Sequence, residues 1–422
     1  MPRHLALALL LCPALAAAQA EPPVRTLREA YLAALENSDA VAISEKTIAE
    51  AEALRRAALG GSFPVLSARH VTDVQDRRVG GSQLGGSQRA QNEGMLRLSK
   101  TGLTGYRELA AVKASKSALA QREHERRRAE QLLLLDVAGA YYGVVQAREN
   151  AEATSQLLAL ADKRLAEIKD RVRVGRAREA DALAQEVQSQ ALHSQLEESR
   201  RQVQARGEFL AFLVRAPVSP VSLSTGALPA APPVDRYLER LESRPDVAAA
   251  RDAAQAAAHG VDVARGGYFP EVGLQGNYYG YRPPARENNK WDASATVSLP
   301  LFAFGANRAA TDSARARHER EELVLRAARR AADLDARNAH RDFTSAARQL
   351  EIQRRSGELA RRDYRLQSAD ERRGLVTSIE VLQSLDRLNI SGLAFNDALV
   401  QARLAAIALE TAAGAAPEEI LK

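Results

Sequence analysis

The chain has a single cysteine among 422 residues, and that cysteine, Cys12, lies in its first segment. Met1-Pro2-Arg3-His4, the apolar run 5–11 and Ala16-Ala17-Ala18-Gln19-Ala20 ahead of Glu21-Pro22 predict a secretory signal over residues 1–20, cleaved after Ala20. Leu11 stands where a lipid anchor on Cys12 would need a small residue, so the processed chain is expected to hold no thiol, no disulfide and no cysteine-based site. After residue 20 no apolar run approaches the ~18–20 residues of a membrane helix, which leaves a soluble exported protein or one that spans a membrane as strands. Aromatics are only 5% of the residues, so the core must be built from alanine and leucine. A composition rich in Ala, Glu, Leu and Arg belongs to long helices and coiled coils.

Other absences narrow the function. His70, His124, His193, His259, His318 and His340 are scattered, with no pair at metal-ligand spacing on one helix face. The glycine-rich stretch 80–87 is followed by no Gly-Lys-Ser/Thr and opens no helix, so it reads as a surface loop and not a phosphate cradle. No serine sits in a nucleophile elbow. The acidic residues of the long helical stretches alternate with arginines three and four positions away, as on solvated faces. The net charge of +6 is spread along helices with no basic block interleaved with aromatics, which argues against nucleic acid. No enzyme, cofactor or resident metal is expected, and without an ATP-binding loop any energy must come from a partner.

What the chain does have is repetition. Phe63-Pro64 and Phe269-Pro270 each open an alternating segment, and Arg107 and Arg308 each precede a very long Ala/Arg/Glu-rich stretch. Each stretch is broken by one glycine, in Arg173-Val174-Gly175-Arg176 and Arg372-Arg373-Gly374-Leu375. Such a repeat is a duplicated half-domain. The predicted repeats are 21–215 and 235–422, joined by a Pro-rich linker at 216–234, and each runs helix, strand, loop, strand, very long helix, glycine break, long helix. Thr26 and Glu29 form a capping-box pattern ahead of the first helix, predicted over 26–59, and its repeat is predicted over 236–266. Residues 107–174 contain nothing that breaks a helix, a rod of ~100 Å. Its apolar residues recur at three-four spacing (Leu134, Val137, Tyr141, Val144, then Leu158, Ala161, Leu165, Ile168), as do Ala336, Phe343, Leu350, Gly357 and Tyr364 in the second rod. Residues 414–422 read as a short tail.

Four strands are predicted, at about 63–76, 93–102, 270–281 and 291–301. The fourth is the clearest: Trp291, Ala293, Ala295, Val297, Leu299 and Leu301 alternate with Asp292, Ser294, Thr296 and Ser298. Tyr278, Tyr279, Tyr281 and Trp291 collect at the loop end, and Tyr268, Phe269, Phe302 and Phe304 at the helix end, where the aromatic girdles of a transmembrane barrel lie. Four strands cannot close a barrel, whose smallest versions use about eight. The chain must therefore supply a fraction of a shared wall.

This duplicated layout, the Leu299-Pro300-Leu301-Phe302-Ala303-Phe304-Gly305 turn and the hairpin tip at 374–382 resemble the TolC family of outer-membrane efflux proteins, over nearly the whole processed chain. The resemblance implies a mainly α fold with a small β part. Three chains would share a 12-stranded outer-membrane β-barrel, continued by a periplasmic α-helical barrel. It implies a passive exit duct of a tripartite efflux or type I secretion system, a homotrimer in outer-membrane lipid. Its partners would be a periplasmic adaptor and an inner-membrane pump or ABC transporter. The family's aperture acids map to Glu380 and Gln383, the second no longer acidic, with Asp181 as the first-repeat counterpart of Glu380. The docking patch maps to Arg173, Val174, Gly175, Arg373, Gly374, Leu375 and Val376. At the family's tip-locking tyrosine and arginine positions this chain has Glu371 and Val376, so its lock must differ. Trp291, Val297, Leu299, Tyr278 and Phe302 are the expected lipid-facing and girdle residues. The competing reading is a soluble exported coiled-coil adaptor or scaffold, which would have to bury the stripe 291–301 on something.

Overall fold

The structure, a computed structural model, describes residues 25–74, 90–103, 107–219, 232–282 and 288–422. The predicted signal at 1–20 with Cys12, the predicted glycine loop at 80–87, most of the linker and residues 283–287 between the third and fourth predicted strands lie outside the described residues.

The first helix starts as its capping box dictates. The Thr26 hydroxyl accepts the Glu29 N–H at 3.2 Å, and the Glu29 carboxylate accepts the Thr26 N–H at 3.2 Å. The helix expected over 26–59 is nevertheless two, α1 (Leu27–Asn37) and α2 (Asp39–Gly60). Ser38 leaves helical geometry (φ −75°, ψ 117°) and caps α2 by accepting the Val41 N–H. The repeat expected over 236–266 is broken likewise. Helix α5 (Val234–Leu238) and a 3₁₀ turn (Leu241–Ser243) precede α6 (Pro245–Arg265), because Pro245 forces Arg244 out of the helical region (φ −59°, ψ 131°).

Each break carries a side chain that clasps the last carbonyl of its own half's final long helix. Asn37 donates to Val214 O at 3.2 Å, and Arg244 donates to Ala412 O at 3.2 Å. Arg244 is 2% exposed and also binds Asp246 and Asp335, each at 2.9 Å. Buried guanidinium is tolerable only with such a complete set of acceptors.

Two long helices of 67 residues each, α3 (Arg107–Arg173) and α7 (Ala306–Arg372), are followed by α4 (Glu179–Val214) and α8 (Ser378–Ala412). The seam of α3 is buried at Leu134, Val137, Tyr141 and Val144, and that of α7 at Ala336 and Phe343. Helix α7 also carries an exposed second row, Ile352, Leu359 and Leu366, seven residues apart. Although the sequence holds no unbroken membrane-length apolar run after residue 20, α8 is long and apolar enough on average to cross a membrane. A helix apolar on many sides is one that packs among several neighbours. The predicted tail is instead packed: Ala415 is buried, its carbonyl accepts from Gln131 at 2.9 Å, and a last helix, α9, spans Pro417–Ile420.

The four strands are β1 (Val65–Val74), β2 (Ala90–Leu103), β3 (Glu271–Tyr281) and β4 (Trp291–Ser298), one antiparallel sheet in the order β1-β2-β3-β4. β4 stops before Pro300, which has no N–H for a ladder, so Leu299 and Leu301 lie beyond the strand expected at 291–301. Compactness does not follow the sequence halves. Helix α1, residues 137–173 of α3 and α4 form one unit; α2, the sheet, residues 107–136 and everything from α5 onward form the other.

Candidate functional site

Residues paired across antiparallel strands share a face of the sheet. Leu66 opposes Leu98 and Ala68 opposes Leu96; Leu96 opposes Tyr278, and Tyr278 opposes Trp291. Leu274 opposes Ala295 and Val272 opposes Val297, so one face is apolar across all four strands. It is also uncovered, with Leu66 at 68%, Trp291 at 70% and Val297 at 68% exposure. Tyr278, Leu299, Phe302 and Phe304 are exposed too, Phe302 and Phe304 stacking edge to face at 4.7 Å. His70 and Thr72, bonded to each other at 3.2 Å, Asn92 opposite Thr72 and Lys100 opposite Leu274 are the polar members of this face.

The opposite face holds a connected polar network that pattern reading missed. Arg97 donates to Asn277 at 2.9 Å, and Asn277 donates to Asp292 at 2.7 Å. The Tyr279 hydroxyl donates to Asp292 at 2.6 Å. Arg282 lies 3.3 Å above the Tyr279 ring and binds Glu93 at 3.0 Å. Alternation assigned Asp292 to the polar side; what it could not supply was the pairing of Arg97 with Asn277, 180 positions apart.

At the two hairpin tips the backbone solution is the same. Gly175 (φ 70°) and Gly374 (φ 78°) reverse the chain in the left-handed region. Arg176 N–H bonds Arg171 O at 2.7 Å, and Leu375 N–H bonds Asp370 O at 2.9 Å, the six-to-one bond of a Schellman motif. Arg173 and Arg373 pair with Asp170 and Asp370 at 3.3 and 3.6 Å. Val174 and Leu375 stand exposed, and Val376 is half-buried.

The acidic candidates turn back on their own helices. Glu380 completes a capping box with Thr377, its carboxylate accepting the Thr377 N–H at 2.6 Å and hydroxyl at 2.9 Å. The backbone N–H first, and the hydroxyl second, hold its pKa below the usual carboxylate value. The pattern Thr377-x-x-Glu380 was present in the sequence and marks this role as clearly as Thr26-x-x-Glu29 does. Asp181 occupies the matching place in the first tip and is gripped by Arg178 at 2.9 and 3.2 Å, hydrogen bonds that lower its pKa. Gln383 is exposed one turn beyond Glu380. Among the described residues no group of three or more His, Cys, Asp or Glu is placed to hold a metal.

An antiparallel sheet with one bare apolar face, in a chain whose helices run to ~100 Å, is the fold of solved outer-membrane channel proteins. VceC, an outer membrane protein from Vibrio cholerae, has this fold, with a TM-score of 0.79 at 19% identity over 92% of this chain and 96% of that one. CusC matches with a TM-score of 0.78 at 19% identity over 92% of each chain. Residues 237–415 match the model of the outer membrane efflux protein family. The chain is 28% identical over 311 residues to the pyoverdine export outer membrane protein OpmQ of Pseudomonas aeruginosa, covering 70% of this chain and 63% of that protein. It thus spans less than two thirds of the length of the curated relatives it matches. At the level of the family these are passive channels and not enzymes.

Proposed function

We propose that the chain is the outer-membrane exit duct of a tripartite efflux or type I secretion system. It works as a homotrimer, with twelve strands in the outer membrane and a helical tunnel in the periplasm. The observation that carries this reading is the sheet: its apolar face is uncovered, and among the described residues β1 and β4 each have an outer edge with no strand beside it. In lipid, each unpaired backbone group costs several kcal/mol, so neighbouring copies must complete the ladder. The exposed row Ile352, Leu359 and Leu366 on α7 gives the tunnel a matching seam for a neighbouring helix. The equal lengths of α3 and α7 support the reading of 21–215 and 235–422 as repeats of one unit joined by 216–234.

Opening occurs at the tips, where a periplasmic adaptor, acting with an inner-membrane pump or ABC transporter, binds the open state more tightly than the closed one. The docking residues are Arg173, Val174, Gly175, Arg373, Gly374, Leu375 and Val376. Glu380, with Gln383 beside it, lines the aperture. The Thr377 bonds favour its ionised form, and a ring of three such carboxylates attracts cations and repels itself. Asp181 contributes less field, being neutralised by Arg178. Purified protein in planar bilayers should pass a stepwise, cation-preferring current that rises in Glu380→Ala, and should stay with outer membranes through a carbonate wash. Release by carbonate with no current would replace this reading with that of a soluble exported adaptor or scaffold.

A further inference from the structure

Far from the tips, beside Arg128 and Leu135 of α3, a cavity of about 540 Å³ opens against α7 and α8, within the size range of sites that hold small organic molecules. Ala339 and Ala405 form its floor, packed against the buried core of Tyr237, Phe343 and Leu409. Leu135, Leu404 and Ala408 make its walls apolar. Two polar groups in it serve no structural contact. Thr411 is 1% exposed, and its hydroxyl has no hydrogen-bond partner among the described residues, a costly state for a buried polar group. Asp342 is exposed in the same cavity, and its carboxylate has no ion pair or hydrogen bond among the described residues. The other charges are spent. Arg244 holds Asp246, Asp335 and the Ala412 carbonyl, while Arg128 donates to Gln131 at 3.1 Å and lies 3.9 Å from Asp246. Two guanidinium groups therefore stand against three carboxylates, and Asp342 is the one left over.

We infer that this cavity is a resting site for amphipathic organic cations, compact amines with an apolar ring body. Asp342 neutralises the charge, the Thr411 hydroxyl accepts an N–H, and Leu135 and Leu404 cover the rings. A bare metal ion fits worse, because it needs oxygen ligands on several sides and the walls offer alanine and leucine. An anion fits worse too, since Arg244 is already saturated. The inference rests on the reading of the chain as a duct, in which the cavity lies in the tunnel wall. It sets small molecules above polypeptides as cargo, because the cavity encloses one drug-sized body.

The test uses the full chain in detergent and two dyes of one ring system, cationic rhodamine 6G and anionic fluorescein. Fluorescence anisotropy, read against protein-free micelles, should give about tenfold tighter binding of rhodamine 6G, the scale of attracting one charge and repelling the other. Asp342→Asn should lose about three- to fivefold of that affinity and leave the melting temperature unchanged, because the carboxylate has no partner to lose. Thr411→Val should also weaken rhodamine 6G and yet melt higher than the parent, since it deletes an unsatisfied buried hydroxyl at nearly constant shape. A lower melting temperature with unchanged dye binding would make that hydroxyl structural and overturn its role. Equal affinity of the parent for both dyes overturns the inference, as does a preference that survives Asp342→Asn. Bilayer current from the same preparations separates the two levels. Current without dye discrimination sinks the cavity inference alone, whereas dye binding with no current sinks the duct reading and leaves a site outside any conduit.

Discussion

Ala295 and Ser294 are adjacent on β4, point to opposite faces, and are both exposed in the single chain, so burial does not distinguish them. The cross-strand pairs do: Ala295 lies opposite Leu274 on the apolar face, and Ser294 opposite Gln275 on the polar one. Ala295 is near the middle of the eight-residue strand, which places it well inside the hydrocarbon if this face meets lipid. An arginine there should cost ~2–4 kcal/mol, against the ~0.5 kcal/mol or less of an ordinary water-exposed substitution on a lumen side. At 1.4 kcal/mol per factor of ten, Ala295→Arg should lower the folded-to-unfolded ratio by roughly 30- to 700-fold, and Ser294→Arg by less than about threefold. Urea titrations of protein refolded into phospholipid vesicles, read by heat-modifiable mobility, would measure both. Equal costs, or a larger cost for Ser294→Arg, would refute the assignment of faces and the shared barrel with it.

Gly374→Ala should destabilise by ~1–2 kcal/mol through backbone strain alone, because an added Cβ meets nothing within 4 Å; thermal melts would register the loss. Arg244→Ala should cost about 2–3 kcal/mol, mostly from the orphaned Ala412 carbonyl and the lost packing, since Asp335 is half exposed and contributes little; Arg244→Lys, lacking the fork, should recover only part in the same denaturation assay. Glu380 is held below its ordinary pKa, so its contribution is complete above the unfolded value of ~4.3 and lost as pH falls through the folded value. Glu380→Gln should therefore flatten the acid limb of a stability-versus-pH curve and leave its neutral region parallel to the parent's.

Much of this architecture is legible in the residues, because period and punctuation are local. Strict alternation in 291–298 marks both a strand and its apolar side, and heptad spacing with a single glycine marks the hairpins of 107–214 and 306–412. The helix breaks were less visible. Ser38 is one residue among strong helix formers, although Pro245 did announce the second break. Position and orientation also separate at the site. Counting from Gly374 locates Glu380, while its carboxylate's return to Thr377 was written in the Thr377-x-x-Glu380 capping pattern, a different signal from the count. Buried Arg244 and the Arg97, Asn277, Asp292 chain escaped because their partners are distant in sequence, where no short pattern reaches.

The seam between β2 and β3 has a consequence for the order of events in folding. The hairpins β1-β2 and β3-β4 close across short spans, but Leu98 meets Gly276 only after the intervening residues have been made and α3 and α4 have folded out of the way. Contacts of such long range form late and slowly. Each chain therefore passes through a stage with two separate half-sheets, four unguarded edges and a greasy side already displayed, the state most prone to wrong pairing. Substitutions that weaken the Arg97 to Asn277 bridge should lengthen that stage more than they loosen the finished wall.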